Sequence, residues 1–204
     1  MKKEQPKTYA YFKNFEKQLR QRSGFRRYFD VTDPFYSVYN VGPYSMQPIK
    51  VFWRQFIPEL RMAVLKPRRD AHLGDKICLT QHVVSFVPFE TDEEALYFSG
   101  CGNSSPATLL HWNSSTSKSY GQPHILETIR IPRYDSGNKN HTHIRDLAGK
   151  CHEAAARNDF GDIAAIEEEI DKEAVKLWSI SLDELEEIRE VLDEARRKGR
   201  PNLD

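Results

Sequence analysis

Two groups of polar side chains have the types and spacing to meet a polyanion. Lys50, Arg54, Arg61, Lys66, Arg68 and Arg69 put six cations into twenty residues. Ammonium and guanidinium groups in such a run suit phosphate oxygens. Further on, Asn113, Ser114, Thr116, Lys118, Tyr120 and Gln122 gather amide, hydroxyl and ammonium groups in one polar stretch. Those groups match the donors and acceptors on base edges. The competing reading is plain: the arginines are ordinary solvated charges, and the hydroxyl-rich run 113–123 is a surface connection.

Catalytic constellations are missing. No Gly-rich turn between strand and helix, no P-loop and no Gly-x-Ser-x-Gly elbow occurs. Asp33-Pro34-Phe35-Tyr36 echoes the Asp-Pro-Pro-Tyr signature of adenine methyltransferases, but lacks its second proline. His141, His143, Cys151 and His152 invite a zinc reading. Adjacent Cys151 and His152 on one helix would point ~100° apart, which is poor for converging on an ion. A polar helix start and a helix histidine explain them better, and no metal or cofactor is expected in the chain.

Composition narrows the class. The 204 residues are 39% apolar and 29% charged, with zero formal net charge. That zero hides an asymmetry. Residues 1–69 hold fifteen Lys/Arg against five Asp/Glu, while 153–198 hold seven against fifteen. A basic half can attract phosphates. Three scattered cysteines imply no disulfide framework. No apolar run approaches the ~20 residues that span a bilayer. The start has no apolar h-region, so a cytoplasmic chain is expected.

The elements that must position these groups read as follows. A helix is expected over 8–22, with Thr8 as its cap and Ser23-Gly24 as its stop. Strands are expected at 35–41, 49–54, 60–65 and 79–88, with a polar loop at 66–76. Thr91 and Glu94 form a capping box for a helix that Gly100 or Gly102 ends. A second helix runs from Ser105-Pro106 to about Trp112. Residues 125–131 alternate as a short strand or helical turn. Three further helices follow from 141, the last capped by Ser181 and Glu184. The fold class is α+β: a mixed-sheet body with packed helices over 1–140, then a helical tail over 141–204. Trp53 is assigned to the core.

The order of segments carries a resemblance. Phe35 to Tyr44 followed by Pro48 to Arg54, then Val87 to Tyr97 with Asn103-Ser104-Ser105, Ile125 to Asp135 and Ile170 to Ile188 resemble consecutive stretches of one family domain. That domain is the C-terminal specificity, or target-recognition, domain of Eco57I/TaqI-like N6-adenine DNA methyltransferases and type II restriction–modification enzymes. Trp178-Ser179 departs from the usual Tyr-Gly. The resemblance implies a division of labour. A catalytic domain elsewhere in the same polypeptide would bind S-adenosylmethionine and flip the adenine. This chain, not catalytic alone, would grip double-stranded DNA and choose the sequence. Lys50, Arg54, Arg68 and Arg69 would hold phosphates, and the 113–122 side chains would read bases. The alternative is a protein-interaction module that docks a partner through its C-terminal helices.

Overall fold

The computed structural model describes residues 1–56, 59–72, 74–80, 83–114 and 126–198. The fold is α+β, and the chain divides into two compact units, Met1–Ser45 and Met46–Asp204. The division thus falls between 45 and 46. Residues 141–198, read from sequence as a tail, belong to the second unit.

The first unit holds α1 (Pro6–Lys13), α2 (Glu16–Gln21) and α3 (Ser23–Tyr28). The helix expected over 8–22 is therefore two short ones. It begins at Pro6, whose fixed φ suits a first helical turn, and Gln5 rather than Thr8 is its N-cap. The strand expected at 35–41 is not formed. Arg22 donates to the carbonyls of Phe35 (3.2 Å) and Ser37 (2.8 Å), and Arg20 to those of Val31 and Asp33. Guanidinium groups hold this segment where a neighbouring strand would otherwise bond it. Phe25 and Phe35 are the two buried hydrophobic residues of the unit.

The second unit is built on β1 (Ile49–Arg54), β2 (Ala63–Leu65) and β5 (Val84–Phe89), in the order β2-β1-β5. Both pairings are antiparallel, so this sheet is not mixed. β3 (Arg68–Asp70) and β4 (Gly74–Lys76) form a separate two-stranded ribbon. The helices are α4 (Asp92–Asn103), α5 (Ser105–Ser114), α6 (Lys139–Arg157), α7 (Phe160–Ala174) and α8 (Leu182–Arg197). Caps form where local chemistry demands them. The Thr91 hydroxyl accepts from Glu94 N–H, and Ser181 with Glu184 completes a full capping box.

The main core joins Val51, Trp53, Leu60, Met62, Ala95, Ala107 and Ile129. A second cluster joins Tyr97 and Cys101 to Ile144, and a third joins Leu147 to Ile166 and Ile170. Leu185 and Leu192 of α8 are fully buried. These helices bury much of their apolar stripe within the unit.

Gly100 and Gly102 do not end α4; they lie inside it. A Cβ on Gly100 would stand 2.8 Å from Ile144 Cγ2, and one on Gly102 would strike the Met62 thioether. The glycines let α6 and the Met62 segment approach closely. Among the described residues, no helix is long and apolar enough to cross a membrane.

Candidate nucleic-acid interface

The β3–β4 ribbon carries Arg68, Arg69 and Lys76 together with Asp70 and Asp75. All six of its strand residues are exposed. Arg68 faces Lys76 and Arg69 faces Asp75 across the pair. The turn is set by local chemistry. The Asp70 carboxylate accepts from His72 N–H at 2.8 Å, a bond typical of turns led by Asp. Gly74 sits at φ 72°, a backbone region that favours glycine. A polar loop was expected here; two three-residue strands stand in its place. Neither carries the apolar alternation that marks a half-buried strand.

The six cations singled out from sequence fall into three environments. Lys50 lies inside, 1% exposed. Its ammonium donates to the carbonyls of Gln47 and Cys78, the latter at 3.1 Å. Burial pulls its pKa below the usual lysine value. A buried ammonium bound to main-chain carbonyls does not reach a phosphate, so Lys50 leaves the set.

Arg61 and Lys66 are exposed but engaged. Arg61 donates to Glu167 (2.9 Å) and forms an ion pair with Glu59 (3.1 Å). Glu59 in turn receives Arg196. Burial raises the Glu167 pKa despite the Arg61 charge. Lys66 pairs with Asp92. Arg54, Arg68 and Arg69 are exposed, with no ion pair among the described residues. Lys76, a ribbon residue, joins them.

The proposed base readers are only partly covered. Asn113 is exposed at the end of α5. Ser114 turns back on its own helix, its Oγ donating to the Leu110 carbonyl at 2.8 Å. Thr116, Lys118, Tyr120 and Gln122 lie outside the described residues.

The three histidines that suggested zinc have other partners, and Cys151 is a free thiol. His141 is buried, and its Nδ1 accepts from Asp135 N–H at 3.1 Å. His152 Nε2 accepts from Val64 N–H at 2.9 Å, with Nδ1 facing the Ala148 carbonyl. His143 stands beside Glu173. Among the described residues, no group of three or more His, Cys, Asp or Glu could hold a metal ion. Asp33 takes the Asp30 N–H in a turn of the first unit.

Two side-chain clusters brace the second unit. Asp171, 5% exposed, accepts from Ser105 N–H (2.7 Å) and Oγ–H (2.6 Å) at the start of α5, and from Arg189 Nε (3.1 Å). Asn103 bonds the main chain of Met62 in both directions. Sequence patterns alone gave no sign of either, because each joins residues distant in the chain.

No family model matches the chain, and neither does any curated protein or solved structure.

Proposed function

We propose that this chain binds duplex DNA, with the β3–β4 ribbon and Arg54 supplying the phosphate contacts. One observation carries the reading: Arg68, Arg69 and Lys76 lie on an exposed two-stranded ribbon and carry no ion pair among the described residues, while Arg61 and Lys66 beside it in sequence are paired with carboxylates. The major groove of B-DNA admits a two-stranded β-ribbon. Free guanidinium groups on such a ribbon gain counterion release that paired ones do not.

The finer reading rests on the sequence resemblance alone. In it the chain is the target-recognition part of a larger N6-adenine DNA methyltransferase or restriction–modification enzyme. The transfer chemistry and the S-adenosylmethionine site belong to another domain of that polypeptide. Asn113 and the side chains at 116, 118, 120 and 122 then choose the sequence. Replacing Lys118 or Gln122 in the full enzyme should change the sequence modified; an unchanged sequence would clear those residues of base reading.

Titrating the full chain into a fluorescent duplex of ~20 base pairs at low salt tests the coarser claim. Binding that weakens steeply with added salt supports it. Absence of binding at low salt removes it.

A further inference from the structure

The first unit is unusual in what it leaves outside. Its 45 residues contain eleven of the chain's aromatic side chains but a single leucine, no isoleucine and no tryptophan. Burial claims few of them. Tyr11, Phe12, Phe15, Tyr28, Tyr39 and Tyr44 are all more than a third exposed. Folding of this unit does not account for so much aromatic surface, since only Phe25 and Phe35 form its buried centre.

The rings are ordered. Tyr28 and Tyr39 stack face to face, with centroids 3.6 Å apart and planes within 10°. The Arg27 guanidinium stands 5.3 Å from the Tyr28 ring centre. The backbone that carries Tyr39 is held in place: Asn40 adopts φ 57°, and the Tyr44 hydroxyl donates to the Asn40 carbonyl and side chain (2.9 and 2.8 Å). A side chain on Gly42 would push into the Tyr44 ring. The stack therefore sits on a built turn.

The unit is basic. The unit carries nine Lys/Arg against four Asp/Glu. Three of its four carboxylates are engaged: Glu16 pairs with Lys13 and Arg20, and Asp30 and Asp33 accept bonds within their own turn. Arg20 and Arg22 are spent on main-chain carbonyls. Lys2, Lys3, Lys7, Lys17, Arg26 and Arg27 are exposed, without an ion pair among the described residues.

We infer that the first unit binds single-stranded nucleic acid, a base extending the Tyr28–Tyr39 stack while Arg26, Arg27 and the exposed lysines of the unit take the phosphates. Flat rings beside free cations match the two parts of such a strand: bases that stack on aromatic faces, and a backbone that seeks positive charge. An anionic membrane surface would also attract the cations. A face built to enter lipid, however, draws on leucine, tryptophan and phenylalanine, whereas four of these six exposed rings are tyrosines. The inference stands on a different unit from the ribbon and does not depend on it.

The test is fluorescence anisotropy of the full chain with a labelled oligo-thymidine of ~15 nucleotides at low salt. Tyr39→Leu keeps an apolar side chain and removes the ring; it should weaken binding roughly tenfold, as loss of one stacked base does. Tyr39→Phe should bind like the parent, which separates stacking from misfolding. Arg26→Glu with Arg27→Glu should weaken binding and flatten its salt dependence. Arg68→Glu with Arg69→Glu should leave oligo-thymidine binding intact, so the two surfaces fail separately. Absence of oligo-thymidine binding, or parent-like binding by Tyr39→Leu, would overturn the inference. So would co-sedimentation with phosphatidylserine vesicles without oligonucleotide binding, or a concentration-dependent dimer that Tyr39→Leu abolishes in a chain that binds no oligonucleotide.

Discussion

The side-chain amide of Asn103 reads the main chain of Met62 from both sides. Its Oδ1 accepts from Met62 N–H at 2.7 Å, and its Nδ2 donates to the Met62 carbonyl at 2.9 Å. Two residues on, Val64 N–H of β2 donates to His152 Nε2. β2 lies at the edge of its sheet, where unpaired main-chain groups invite a foreign strand. Side chains from α4 and α6 occupy these positions. Asn103→Ala leaves a donor and an acceptor without their partner. It should cost about 2 kcal/mol, read as a lower midpoint in urea denaturation with an unchanged slope.

The same bond fixes the tautomer of His152. Val64 N–H is the donor, so Nε2 carries no proton and Nδ1–H points at the Ala148 carbonyl. Nitrogen chemical shifts of this ring at alkaline pH should report the Nδ1-protonated form. The opposite tautomer would contradict the edge arrangement.

Asp171 joins three helices through one carboxylate. It caps the start of α5 through Ser105 and pairs with Arg189 of α8. Removing it leaves the half-buried Arg189 charge without this partner, and such losses are severe. Asp171→Ala should destabilise the chain by about 3 kcal/mol, seen in thermal unfolding followed by circular dichroism. Ser105→Ala removes one of the bonds and should cost less.

Two of the thiols, Cys101 and Cys151, should react slowly. Burial pushes the Cys101 thiol up to about 12 and that of Cys151 up to about 11. The thiolate is the nucleophile, so at pH 8 both are almost wholly protonated. Both should resist iodoacetamide in the folded chain, and Cys151 should react faster as pH rises towards 11. Mass spectrometry of peptides after timed alkylation reads this directly. Rapid labelling of Cys101 without denaturant would contradict its packing against Tyr97 and Ile144.

Lys50 gives a contrast between stability and binding. Lys50→Met removes the donor to the Gln47 and Cys78 carbonyls. It should lower stability by about 1–3 kcal/mol. Duplex affinity, measured where the variant is folded, should not change, although the residue sits in the basic run.

Local chemistry was legible in the sequence; tertiary approach was not. Thr91 and Ser181 cap their helices because cap and partner lie three residues apart. Trp53 falls in the core because β1 is apolar enough to be recognised. The segment 35–41 looks like a strand by composition, yet its Phe35 and Ser37 carbonyls accept from Arg22, which no local pattern reveals. Gly100 reads as a helix end until Ile144 is seen against it. Lys50 and Arg54 look alike in the sequence, but one is enclosed by the Cys78 and Gln47 carbonyls and the other faces solvent. The ribbon was hidden because its strands are polar throughout.

The most direct measurement is the salt dependence of duplex binding for the parent chain and for Arg68→Glu with Arg69→Glu. Each phosphate contact contributes about 0.9 to the slope of log affinity against log salt. If the ribbon grips the backbone, the double substitution should reduce that slope by about 2 and weaken low-salt affinity at least tenfold. Charge reversal of Arg61, already committed to Glu59 and Glu167, should do far less. An unchanged slope and affinity in the Arg68/Arg69 variant would contradict duplex binding through the ribbon.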